Sequence, residues 1–212
     1  VRREAPDNFT IKVDMRIKHD PGQFVQVSMP GYGEAPISIC SYSNKYILLN
    51  VHEVGNVTKA LSRLKKGDTL LIRGPYGKGY PMDELKGKDI VIVGGGCGVA
   101  PLVGVIDYIE QHRKYYNNIF LFLGYRSPDE ILFRKKLVEW KKKYALNLTV
   151  DQNPEGKFCY NAKVGFVTEA LKEAKLTNDN KTAIICGPPI MMKFVIGILK
   201  DKGFRDKEIY LS

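Results

Sequence analysis

Apolar and polar side chains alternate with a period of two over residues 9–17 (FTIKVDMRI) and again over 23–29, as strands with one buried face do. Pro21-Gly22 supplies a turn between them. Further strands are predicted over 35–41, 46–54 and 69–73. A single helix interrupts them over 57–64, with Leu61 and Leu64 on one side and Gly67-Asp68 ending it. Several short strands at this spacing predict a small antiparallel Greek-key β-barrel.

The pattern changes at Lys86-Gly87-Lys88. Beyond it, short apolar runs at 90–93, 119–123, 146–150, 183–186 and 208–211 alternate with amphipathic stretches at 102–115, 129–144, 167–174 and 190–202. Such alternation predicts a five-stranded parallel, Rossmann-like α/β sheet with crossover helices. In the first helix Leu102, Val105, Ile106 and Ile109 recur at helical spacing and are predicted to face the sheet. The reading divides the chain into a barrel domain, 1–86, and an α/β domain, 87–212.

Composition narrows the picture. The chain of 212 residues is 44% hydrophobic and 26% charged, as a globular protein is. Its four cysteines are far apart and form no C-x-x-C pair, so neither a metal site nor a disulfide framework is indicated. Free thiols fit a reducing, cytoplasmic location. The net charge of +10 is spread over lysine doublets and one triplet, read as solvated helix faces or as a surface for an acidic protein partner. No nucleic-acid signature accompanies the charge. The uncharged run 90–106 carries five glycines and Pro101, which suits a buried strand, turn and helix better than a membrane span. There is no secretory signal, and the chain begins at Val1 rather than at a methionine.

Three loops carry candidate chemistry. Gly94-Gly95-Gly96-Cys97-Gly98-Val99-Ala100-Pro101 follows a buried run and opens a helix, the setting of a phosphate-binding turn. Pro101 sits in the first helical turn, where its missing N–H costs nothing. Cys186-Gly187-Pro188-Pro189-Ile190-Met191 likewise lies between a strand and a helix, where open parallel sheets bind ligands. In the barrel, Gly55-Asn56-Val57-Thr58 opens the lone helix. The amides of Val57 and Thr58, assisted by the Thr58 hydroxyl, could take an anionic diphosphate, or Asn56 could be an ordinary cap.

In this order, R-G-P-Y-G at 73–77, G-G-G-x-G-x-A-P and C-G-P-P-x-M resemble the ferredoxin–NADP reductase superfamily. Residues 33–38, 54–58, 76–81 and 187–191 are similar to the electron-transfer subunit of anaerobic sulfite reductases, with the gamma subunits of NAD(P)-linked hydrogenases as close relatives. The resemblance implies FAD and NAD(H), more than NADP(H), as cofactors. Pro36, Ile37 and Ser38 would line the isoalloxazine, with Ser38 beside its N5. Asn50, Val51 and His52 would run along the ring and ribityl chain, and Gly55, Val57 and Thr58 would take the diphosphate. Gly94 to Pro101 would hold the dinucleotide, bordered by Tyr125 and Arg126, while Cys186, Gly187, Pro188, Pro189 and Met191 would place the nicotinamide. Ser38 and Cys186 are the candidate catalytic residues. Ala35 stands where the superfamily usually carries an arginine, so a counter-charge for the diphosphate is missing there. Arg126 is the one candidate for a 2′-phosphate contact.

The implied activity is hydride transfer from NAD(P)H to FAD and single-electron transfer onward. The recipients would be iron–sulfur and catalytic subunits of a multi-subunit complex reducing sulfite, without membrane insertion. A [2Fe–2S] cluster is expected only on a cysteine-rich segment beyond Tyr210-Leu211-Ser212. The alternatives are an electron-transfer subunit of a hydrogenase or dihydroorotate dehydrogenase, and a non-catalytic NAD(P)-binding regulatory subunit.

Overall fold

The computed structural model describes residues 1–176 and 180–212. In the N-terminal part, β1 (Arg2–Ala5), β2 (Asn8–Val13) and β5 (Ile47–His52) form one antiparallel sheet in the order β1-β2-β5. A second sheet, β4-β3-β6, is built from β3 (Phe24–Met29), β4 (Gly33–Ser38) and β6 (Leu71–Tyr76). A bridge between Ile39 and Leu49 joins the two sheets. Alternate residues turn inward, so Phe9, Ile11, Val25, Val27, Ile37, Leu49 and Val51 close a common core with Leu61 of α1 (Asn56–Leu61). The alternation over 14–17 does not extend β2, because β5 begins at Ile47, opposite Val13, and leaves those residues no ladder to join.

The C-terminal part is a parallel sheet of six strands, β10-β9-β8-β7-β11-β12. Its strands are β7 (Asp89–Gly95), β8 (Ile119–Tyr125), β9 (Ala145–Val150), β10 (Lys163–Val164), β11 (Lys181–Cys186) and β12 (Ile209–Leu211). The expectation of five strands is corrected by β10, two exposed residues paired with Thr149 and Val150 at the edge, too short to show a period. Helix α2 (Val99–Gln111) buries Leu102, Val105, Ile106 and Ile109 completely, as its periodicity predicts. Helices α3 (Arg134–Lys143), α4 (Val167–Glu173) and α5 (Pro189–Asp201) complete the layers. The third helix starts five residues later than the pattern predicts. Phe133 is left-handed at φ 52°, and its N–H donates to Glu4 Oε2 of β1 at 3.3 Å, breaking the helix there.

One core spans both parts. Ala5, Cys40, Tyr80, Met82 and Leu85 pack with the residues of α2, β7 and β8. Among the described residues, no helix is long and apolar enough to cross a membrane.

Candidate functional site

The glycine turn and the proline turn are brought together at the carboxyl ends of adjacent strands. Cys186 pairs with Gly94 in the β11–β7 register. Close packing explains the glycines. A Cβ at Gly98 would lie 2.6 Å from the Cys186 carbonyl oxygen and the Gly187 backbone, and one at Gly95 would collide with Met191 and come within 3.2 Å of Pro188. Only bare backbone permits this approach, and Gly96, at φ 54°, adopts the left-handed turn between them. Gly94, Gly95, Gly98, Val99, Ala100 and Pro101 are buried, so what this turn offers a ligand is the backbone of Gly96 and Cys97, together with the Cys97 side chain. Their amides cap the N-terminus of a 13-residue helix, which favours an anion.

Cys186 is buried, and desolvation pushes its thiol up to about 11. Cys97, by contrast, is exposed. Burial likewise pushes the Tyr80 phenol up, and Tyr80, from the Gly79-Tyr80-Pro81 connection, lies in the same buried cluster as Cys186. Pro188, Pro189 and Ile190 are exposed at the rim, and Met191 is half-buried.

On the barrel, β4 lies beside α1: a Cβ at Gly33 would touch Val57 at 3.6 Å. Ala35 and Ile37 pair with Val27 and Val25 and turn inward, whereas Glu34, Pro36 and Ser38 share the outer face with Phe24 and Gln26. Phe24 stands 5.9 Å from Tyr76, and Tyr76 and Leu71 are exposed on the neighbouring strand. The outer face is therefore mixed, with Phe24, Pro36, Leu71 and Tyr76 forming apolar, partly aromatic ground beside Gln26, Ser38, Glu34 and Arg73. The tricyclic ring of a flavin fits such a surface. At its end Arg73 donates to Glu34 at 2.6 Å, and hydrogen bonds from Ser28 and Arg73 hold the Glu34 carboxyl below its usual range. Periodicity does not reveal this pair, since it joins strands separated by β3.

Other predicted positions have different surroundings. Val51 is interior, so only its backbone is available to a ligand. Asn50 is buried, its amide donating to Asn8 Oδ1 at 2.6 Å and Thr10 Oγ1 at 3.1 Å. His52 is exposed and 3.0 Å from Asp7. The Thr58 hydroxyl accepts from the N–H groups of Val54 and Gly55 at 3.0 and 2.9 Å and donates to the Gly55 carbonyl at 3.1 Å. Its capacity is spent closing its own turn, so the anion contacts left to α1 are the backbone amides. Tyr125 is buried and its phenol is pushed up by desolvation, whereas Arg126 is exposed. Asp151, which sequence patterning does not single out, donates its N–H to the Tyr125 carbonyl at 2.9 Å. Burial raises its carboxyl and Arg126 opposes that rise.

Comparison with known proteins shows the family and the fold. Residues 92–196 match the oxidoreductase NAD-binding domain family. The chain is 37% identical to "Sulfhydrogenase 2 subunit gamma" of Pyrococcus furiosus, across 99% of this chain and 74% of that one. It is 34% identical to "Probable dihydroorotate dehydrogenase B (NAD(+)), electron transfer subunit" of Methanocaldococcus jannaschii, across 93% of this chain and 70% of that one. In three dimensions the CS-b5R domains of human Ncb5or, in the NAD+ form, superpose with a TM-score of 0.84 at 20% identity, over 99% of this chain and 66% of that one. This last likeness speaks to the fold. The chain spans about two thirds to three quarters of each of these proteins.

Proposed function

Because the chain belongs to the ferredoxin–NADP reductase-like oxidoreductases, alongside hydrogenase gamma and dihydroorotate dehydrogenase electron-transfer subunits, we propose that it moves electrons from NADH through FAD to an iron–sulfur partner. The observation that carries the reading is the close approach of the Gly95–Gly98 turn to the Cys186–Met191 turn at the carboxyl ends of adjacent parallel strands. Bound flavin accepts a hydride and releases its electrons singly, chemistry that side chains alone do not supply.

The chain's part is binding and alignment. Residues 1–86 form the flavin-binding unit and 87–212 the nucleotide-binding unit. Pro36, Ser38 and Tyr76 would support the ring, and the Ser38 hydroxyl would orient it. The amides of Val57 and Thr58 hold the flavin diphosphate, with Arg73 supplying the cation that Ala35 does not. Asn50 contributes by fixing the strand, and His52 by contact at its exposed edge.

The amides of Gly96 and Cys97 hold the dinucleotide diphosphate. Gly187, Pro188 and Pro189 would stiffen the wall against which a nicotinamide is held, and the Cys186 thiol, pushed up to about 11 by burial, stays neutral there. Asp151 accepts hydrogen bonds from ribose hydroxyls and repels a 2′-phosphate, which favours NADH despite Arg126. Among the described residues no His, Cys, Asp and Glu group could hold a metal.

The sulfhydrogenase and dihydroorotate dehydrogenase relatives favour a hydrogenase-type or dehydrogenase-type complex over the sulfite-reducing assignment that the motifs suggest. Anaerobic titration of the FAD-reconstituted protein tests the proposal. NADH is expected to bleach the flavin absorbance at least tenfold faster than NADPH. Bound flavin that neither nucleotide reduces would defeat it.

A further inference from the structure

A second cleft lies at the far end of α2, about 20 Å from its glycine-rich start by helix rise. It encloses about 660 Å³ and is open to solvent. Its walls are the loop following β2, with Arg16, Lys18 and His19, and the loop preceding β5, with Tyr42 and Lys45. The end of α2, at Gln111 and His112, closes it. None of the three predicted cofactor loops contributes a residue.

Three properties set this cleft apart from a casual surface dent. Its lining holds three permanent cations and no carboxylate. Among the described residues, Arg16, Lys18 and Lys45 enter no ion pair, whereas Lys12, on the strand before this loop, pairs with Asp14 at 3.3 Å. The walls are also fixed in advance. Buried His19 joins the two loops, its Nε2 lying 2.9 Å from the Ser41 carbonyl and its Nδ1 3.2 Å from that of Ile17. Gln111 ties the second loop to α2 by donating to the Tyr42 carbonyl at 2.6 Å. Beneath them His112 stacks on Tyr108 at 4.2 Å, with Tyr42 edge-on to Tyr108 at 4.7 Å.

We propose that this cleft is a docking groove for an acidic, extended peptide segment of a partner subunit. Charge selects the occupant: three cations on opposing walls attract carboxylates spaced along a chain. Shape selects it too, because an open trough admits a continuous backbone where a small ligand would be left largely wet. The rigid walls reduce the ordering cost of binding. Carboxylates bind on the loop walls, since α2 presents its carbonyl end, which repels them. Because the groove spans barrel loops and α2, the segment anchors both lobes while leaving the redox cleft clear. The existence of a partner rests on the electron-transfer reading above; the groove itself does not.

The test is anisotropy of a fluorescein-labelled octaglutamate peptide titrated with the full chain at low salt. Saturable one-to-one binding is expected, weakening at least tenfold in Arg16→Glu/Lys18→Glu/Lys45→Glu. A control of equal charge change on α3, Lys135→Glu/Lys141→Glu/Lys142→Glu, should stay within twofold of the parent. Hydrogen exchange should slow in residues 14–20 and 41–46 when the peptide is bound. Absence of saturable binding, equal weakening in both triple variants, or displacement by inorganic tripolyphosphate at lower concentration than by unlabelled peptide would overturn the proposal. Flavin reduction by NADH, measured on the same variants, should be unchanged. Peptide binding without flavin reduction would sink the redox reading alone, and the reverse result would sink the groove alone.

Discussion

Single residues at the redox cleft act through backbone proximity more than through functional groups. Gly98→Ala would push a methyl to 2.6 Å from the Cys186 carbonyl and the Gly187 backbone, so the two turns must separate. The expected result is a loss of about 1–3 kcal/mol in urea unfolding, typical of overpacking, with NADH affinity at least tenfold weaker by calorimetry. Cys97 and Cys186 differ in access. Burial pushes the Cys186 thiol up to about 11 and the Cys40 thiol to about 12, whereas Cys97 is exposed. Iodoacetamide at about pH 7.5 should label Cys97 first, as peptide mass spectrometry would show, and bound NADH should slow that labelling. Arg73 sits at the end of the flavin platform, held by Glu34 at 2.6 Å. Arg73→Ala is expected to weaken FAD binding about tenfold, roughly 1.4 kcal/mol, in a flavin fluorescence titration that leaves NADH affinity unchanged.

Between elements, the short β1 strand matters more than its four residues suggest. Glu4 has a nearly buried carboxylate that accepts from Thr10 at 3.1 Å, from the Phe133 N–H at 3.3 Å and from Arg2. It fastens the barrel to the start of α3, 129 residues away in sequence. Glu4→Ala leaves the Phe133 N–H unpaired and is expected to cost about 1–3 kcal/mol in denaturant unfolding. Glu4→Gln, which keeps one acceptor oxygen, should lose less. A variant Glu4→Ala as stable as the parent would show that the fastening is incidental. The same contact explains the late start of α3, which helical periodicity places near residue 129. Periodicity reports which face a helix buries. It is silent on a turn set by a carboxylate from another strand.

At the scale of the whole molecule, the two lobes share buried surface. Ala5, Cys40, Tyr80, Met82 and Leu85 lie in one cluster with the apolar face of α2. Thermal unfolding is therefore expected as one cooperative transition, with near-UV dichroism and calorimetry coinciding. Two resolved transitions would mean that the lobes fold independently. A common core also places the redox cleft at one end of α2 and the basic groove at the other, on a single rigid helix.

Much of this architecture was legible in the residues themselves. The change from period two to alternating strands and helices, the face of α2, and the glycine and proline turns all depend on local backbone preference and on nearest neighbours along the chain. The inward turn of Ile37, the saturation of the Thr58 hydroxyl, the Arg73–Glu34 pair and the gathering of cations in the groove were not legible. Each is a question of which surface meets which across strands or lobes. That is decided by register and packing between segments far apart in sequence, and so by tertiary structure alone.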